Sequence, residues 1–210
     1  MQISWYFDVI SPFAWLQWPA IRELARQREV SLRPILLAGL LERHGHKGPA
    51  EIPGKRLFTY RHAIWRAQQQ HRALQFPPSH PFNPIPALRL CLAAGSSIDA
   101  VEQVLSWIWA EGRAADSAEA LQPLASKLGI HDVVLALSDP QVKLDLKSNF
   151  ERALSAGVFG VPTLEVGKEL FWGEDATALA MAYLADPTLF ESEPYRRLND
   201  LPIGIERKSG

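Results

Sequence analysis

Between residues 2 and 8 the chain alternates, with Ile3, Trp5 and Phe7 on one side and Ser4, Tyr6 and Asp8 on the other. A period of two carried by aromatic and branched residues predicts a β-strand. Ser11-Pro12 follows at once. Serine is a preferred N-cap, and proline suits the first helical position because its missing N–H has no helical partner to lose there. A helix is therefore predicted from Pro12 to Gln27, kinked at Pro19, whose ring deletes one backbone bond and crowds the preceding turn. Residues 30–37, VSLRPILL, read as a second strand. Two strands separated by a full helix favour a right-handed parallel crossover.

The middle of the chain changes character. Residues 42–56, ERHGHKGPAEIPGKR, are polar and rich in Gly and Pro and read as a loop. Helices are predicted over about 57–74, from Pro84 or Pro86 to Gly95, and up to Gly112, the last with Val101, Val104, Leu105, Ile108 and Trp109 on one face. Ser117 caps a fourth, stopped by Gly129, and Asp139-Pro140 starts a fifth, with Val142, Leu146, Phe150 and Leu154 inward and Gly157 at its end. The last third returns to strands, at 161–166 and 169–172, joined by a two-residue Gly167-Lys168 turn. Glu174 or Asp175 then caps a helix over 176–185. The order βαβ, helices, ββα predicts an α/β fold whose outer pieces form one sheet. Residues 1–40 and 158–205 make up that split unit, and 41–157 an inserted all-helical domain.

The chain has 210 residues, 47% of them hydrophobic, enough to bury a sizeable core and to exclude disorder as its main state. Lys and Arg (22) nearly balance Asp and Glu (23), which argues against a nucleic-acid partner. No apolar run approaches the roughly 20 residues a membrane helix needs, and the first residues lack a basic leader, so no membrane association and a cytoplasmic location are expected. Cys91 is the single cysteine, so no intramolecular disulfide and no dithiol pair can form. It lies in an apolar helix and reads as a small buried hydrophobe. His44 and His46 share a loop without a third ligand at suitable spacing, so no metal centre is expected.

The βαβ…ββα order suggests the thioredoxin architecture, whose working position is the start of the first helix. Thiol–disulfide members carry Cys-x-x-Cys there; this chain has Ser11-Pro12-Phe13-Ala14, which excludes that exchange. What is left is a hydroxyl beside unpaired backbone N–H groups and a partial positive charge, a place that stabilises an anion such as the thiolate of a bound thiol cofactor. Four segments in order, Phe7-Asp8-x-x-Ser11-Pro12-Phe13-x-Trp15, His80-Pro81-Phe82-Asn83-Pro84, Gly157 through Thr163, and Phe171-Trp172-Gly173-Glu174-Asp175, resemble the 2-hydroxychromene-2-carboxylate isomerases. That family stands in the kappa-class glutathione transferase group, within the DsbA-like branch of the thioredoxin fold.

The resemblance implies glutathione as cofactor, a small aromatic substrate, a homodimer, and reversible thiol addition as the route to isomerisation. It places the sulfur at Ser11, a cis proline at Pro162, the cysteinyl backbone against Val161, and the γ-glutamyl end at Glu174 and Asp175. It offers Lys47, Lys55 and Arg56 to glutathione or to a substrate carboxylate, and Asn83 and Trp172 to the substrate. The chain departs from the family at His46, where asparagine is usual, and at Ala176, where arginine is usual. Each residue also has a plainer reading. Ser11, Asn83, Glu174 and Asp175 are good helix caps, Pro162 suits a strand start, Trp172 suits a core, and the three cations suit a solvated loop. A kappa-like transferase or peroxidase and a non-catalytic thioredoxin-fold binding module are the alternative functions.

Overall fold

The computed structural model describes residues 1–205. A four-stranded sheet runs β2-β1-β3-β4, built from β1 (Ile3–Phe7), β2 (Ser31–Pro34), β3 (Thr163–Val166) and β4 (Glu169–Trp172). β1 pairs parallel with β2, Trp5 opposite Leu32, and antiparallel with β3, Trp5 opposite Leu164. β3 and β4 form the expected hairpin over Gly167-Lys168, with Leu164 opposite Phe171. The thioredoxin-like arrangement expected from element order is therefore present, and α1 (Pro12–Gln27) has the predicted bounds.

The alternation in β1 does not separate an inner from an outer face, because all five residues are buried. Ile3, Trp5 and Phe7 enter one core with Trp18 and Ile21 of α1, while Tyr6 enters another with Ile35, Leu40, Ala153 and Val158. A central strand covered by helices on both sides has no solvent face to mark with polar residues.

Between β2 and β3 every regular element is helical: α2 (Leu37–Arg43), α3 (Pro53–Gln69), α4 (Ile85–Ala93), α5 (Ile98–Trp109), α6 (Ala118–Lys127), α7 (Val133–Ser138) and α8 (Pro140–Ser155). α9 (Thr177–Ala185) and a short α10 (Glu193–Arg196) follow the hairpin. Among the described residues no helix is long and apolar enough to cross a membrane. The buried faces of α4, α5 and α6 join the cluster containing Trp5 and Trp18, so one hydrophobic core runs from the sheet through the helices. Removing a side chain such as Ile21 or Leu105 from water contributes about 2 kcal/mol.

Three expectations change. The second strand ends at Pro34, and the apolar residues after it turn into α2. The predicted loop over 42–56 already contains the end of α2, a short 3-10 turn at Pro49–Glu51 and the first turn of α3, so Lys55 and Arg56 are helical. Neither Glu174 nor Asp175 is the N-cap of α9; Ala176 is, and Thr177 N–H closes the turn on the Glu174 carbonyl at 3.2 Å.

Candidate functional site

The turn from β1 into α1 is held from four directions. Asp8 is fully buried, and its carboxylate accepts Ile10 N–H at 3.0 Å and Leu37 N–H at 2.8 Å. The Asp8 carbonyl accepts Ser11 N–H at 3.1 Å. Trp109 of α5 donates its indole N–H to the Val9 carbonyl at 2.9 Å, and the His80 ring reaches the Ile10 carbonyl, also at 2.9 Å. Burial raises the Asp8 pKa to about 7, against the two N–H bonds that favour its ionised form.

Ser11 is 8% exposed and occupies the N-cap of α1 with extended backbone angles, φ −89° and ψ 117°. Its hydroxyl makes no capping bond. Ser97, Ser117, Asp132 and Asp139, at the starts of other helices, each accept a backbone N–H in the usual way. No protein acceptor for Phe13 N–H is found among the described residues, whereas Ala14 N–H turns back to the Ser11 carbonyl at 3.1 Å. The mouth of α1 thus offers one hydroxyl and one amide, on the positive end of a 16-residue helix. Cys91 takes no part, because its thiol is buried and held protonated, its pKa pushed up to about 12 by burial.

The other wall comes from the strand entry. The Val161–Pro162 bond is cis. Thr163 pairs with Tyr6 in the ladder, one residue before the end of β1, which puts Pro162 just before the start of β3, at the end of the sheet where α1 begins. The Pro162 carbonyl accepts Gly173 N–H at 2.8 Å. Val161 is half-buried and its backbone groups have no protein partner among the described residues. Gln17 of α1 ties the two walls together: its Oε1 accepts Trp5 Nε1–H at 2.7 Å, and its amide N–H donates to the Gly173 carbonyl at 3.0 Å.

The acidic pair divides. Glu174 is 8% exposed, and Arg66 of α3 grips it through both oxygens at 3.0 and 2.5 Å, with Gln70 adding a third bond at 2.7 Å. That carboxylate is committed to joining α3 to the β4–α9 turn. Asp175 is exposed, folded back over Gly173. Gly173 has φ 95°, and a Cβ there would collide with the Asp175 carboxylate, so the turn requires glycine. Of the pair, Asp175 is therefore the one whose carboxylate is left exposed.

The other sequence-stated residues fall less centrally. Lys47 and Lys55 are exposed. Arg56 uses two of its donors within the protein, on the Tyr60 hydroxyl at 3.0 Å and the His80 carbonyl at 2.7 Å. It also borders a cavity of about 400 Å³ with Glu51, Leu57 and Tyr60. Asn83 accepts Ile85 N–H at 3.2 Å, the capping use. Trp172 is 55% exposed, edge-to-face with Phe159 at 5.3 Å, and so lies outside the core. Sequence reasoning missed Tyr60, Arg66, Gln70 and Gln17, and treated His80 only as part of a motif. Each of these meets its partner across a long stretch of chain, where no local pattern announces it.

These residues fit glutathione: an uncommitted hydroxyl and amide for a thiolate, a free main-chain edge at Val161, and an exposed carboxylate at Asp175. A family model for the DSBA-like thioredoxin domain matches residues 2–185. The chain is similar to 2-hydroxychromene-2-carboxylate isomerase of Sphingobium xenophagum, 26% identical over 192 residues that cover 88% of this chain and 98% of the relative. It is also similar to glutathione s-transferase kappa 2 of Caenorhabditis elegans, 25% identical over 211 residues, 88% of this chain and 92% of the relative. A solved structure of 2-hydroxychromene-2-carboxylate isomerase superposes with a TM-score of 0.73 at 26% identity, covering 92% of this chain and 100% of that one. The resemblance expected from the four segments is borne out.

Proposed function

Because this chain belongs to the DSBA-like thioredoxin domain family, we propose that it is a glutathione-dependent isomerase acting on 2-hydroxychromene-2-carboxylate or a related conjugated aromatic oxo-acid from aromatic catabolism. The observation that carries this reading is the free Ser11 hydroxyl at the mouth of α1, in a site with no protein thiol of its own. Relatives named for the isomerase and for glutathione transferase kappa support the two halves of the proposal.

Bound glutathione would supply a thiolate able to add reversibly to a conjugated alkene, so that the former double bond can rotate before the thiol leaves. The chain's part is electrostatic and positional. Ser11 Oγ–H and Phe13 N–H donate to the anion, and the helix start lowers its proton affinity. Val161 lends its backbone edge to hold the cysteinyl peptide, and Asp175 its carboxylate to the γ-glutamyl ammonium. Arg56, at the 400 Å³ cavity, has donors left for a substrate carboxylate. Held in place, thiol and alkene react as one molecule rather than two. Lys47, Lys55, Asn83 and Trp172 stay at the periphery of this proposal. A homodimer in the cytoplasm is the setting the resemblance suggests.

The test is a spectroscopic assay of the purified protein with 2-hydroxychromene-2-carboxylate, with and without glutathione. Glutathione-dependent interconversion with no net thiol consumed supports the isomerase. Stoichiometric loss of thiol into a conjugate points to the kappa-like transferase, which the second relative favours. Glutathione binding with neither reaction points to a binding module.

A further inference from the structure

We propose that His80 is a positioning residue for the thiolate site: through its bond to the Ile10 carbonyl it holds the Ile10–Ser11 peptide in the orientation that keeps the Ser11 hydroxyl turned away from capping. This rests on the role given to Ser11 above.

The contrast among the helix starts is the first argument. Ser97 and Ser117 sit at N-caps with extended angles and bond Ala100 N–H and Ala120 N–H, each at 3.2 Å. Ser11 is the same residue type on a longer helix, but its ψ is 117° against 159° and 164°, and it leaves its own cap unmade, as Ser192 does at the four-residue α10. Ser11 is also followed by Pro12, where Ile98 and Ala118 follow the other two, and it differs in the peptide before it. The Ile10 carbonyl is bonded to His80 Nε2 at 2.9 Å, across 70 residues of chain.

The second argument is how completely that ring is oriented. A carbonyl only accepts, so Nε2 carries the proton. Nδ1 is then the acceptor, and the Tyr60 hydroxyl stands 2.6 Å from it. Tyr60 oxygen in turn accepts Arg56 Nε–H at 3.0 Å, and Arg56 donates to the His80 carbonyl at 2.7 Å. α3 thus grips both the ring and the backbone of His80. Edges of Phe76, Trp109 and Phe82 close the remaining sides, with centroids 5.7, 5.6 and 6.1 Å away. Burial first, then the Arg56 cation, lower the His80 pKa, which favours the neutral tautomer this chain of bonds needs. Without the Nε2 donor the Ile10 carbonyl loses its partner, the peptide is free to turn, and the Ser11 hydroxyl can fall back onto the helix end as Ser97 and Ser117 do.

A Ser11→Cys variant gives a readout that needs no glutathione. The introduced thiol reports the field and donors at the mouth of α1 through its pKa, measured from thiolate absorbance or alkylation rate against pH. Its pKa should lie below the ordinary value of about 8.5. Adding His80→Leu should raise it by about one unit, a tenfold loss of thiolate stabilisation. His80→Gln, which keeps an N–H near the Nε2 position, should restore it to within about a third of that shift. If Leu and Gln give the same thiol pKa, His80 only fills space and the proposal is overturned. Should His80→Leu fail to fold, Tyr60→Phe decides. Deleting the orienting hydroxyl should raise the pKa by about half a unit, and no change overturns the proposal. Failure of the unmodified protein to bind glutathione would count against the proposed function and leave this titration standing.

Discussion

Replacing Ser11 by alanine separates a cap from a thiolate donor. At an ordinary N-cap the change costs typically about 1 kcal/mol, because an N–H at the helix start loses its acceptor. Here the hydroxyl accepts no such N–H, so that loss does not arise. The residue is 8% exposed, and deleting one oxygen from so small a side chain opens little space. Ser11→Ala should therefore lower stability by less than about 0.5 kcal/mol, the range of a substitution that breaks no named interaction. The bound thiolate, by contrast, loses a charge-assisted hydrogen bond of about 1.5–3 kcal/mol, which raises the pKa of bound glutathione by about one to two units. Urea unfolding measures the first quantity, and titration of the thiolate absorbance of bound glutathione the second. A stability loss of a full cap with an unmoved thiol pKa would refute the reasoning on both counts.

Asp8 makes stability fall with pH. Its folded pKa of about 7 stands above the unfolded value near 4, so the folded state binds more protons in that window, and the benefit present at low pH is lost as pH rises through 7. The full swing is at most about 4 kcal/mol, read as the difference between the native protein and Asp8→Asn in urea unfolding across pH 4–8; His80, whose folded pKa is lowered, pushes the other way and cancels in that subtraction. Arg66→Ala should cost about 2–3 kcal/mol, since it strips Glu174 of a two-point partner and leaves it on Gln70 alone, and adding Glu174→Gln should return part of that loss in the same assay. His71 ends α3 in a left-handed conformation, φ 51°, with Arg72 N–H on the Ala67 carbonyl and His71 N–H on that of Gln68, so His71→Gly should raise stability by about 0.5–1 kcal/mol in thermal unfolding.

Local chemistry was legible where it acts over a few residues. Ser11-Pro12 marked the start of α1, Ser117 and Asp139 marked α6 and α8, and Gly167-Lys168 marked the hairpin. α2 was not legible because the apolar run over 35–41 suits strand and helix alike, and what starts the helix there is a carboxylate 29 residues earlier taking Leu37 N–H. α7 is only six residues long, too short for a periodic pattern. At the site, Ser11 and Asp175 followed from motif and position, whereas the Arg66–Glu174 clamp spans 108 residues and the His80–Ile10 bond 70. Such contacts depend on how segments far apart in the chain pack together, which no window of sequence displays.

The central claim, that a borrowed sulfur is held as an anion at the start of α1, is tested most directly by a crystal structure with glutathione. The account predicts the sulfur within hydrogen-bonding reach of both Ser11 Oγ and Phe13 N, with the cysteinyl peptide paired to the Val161 backbone. Glutathione seated with its sulfur away from Ser11, and Ser11 Oγ turned inward onto the helix N–H groups, would contradict it.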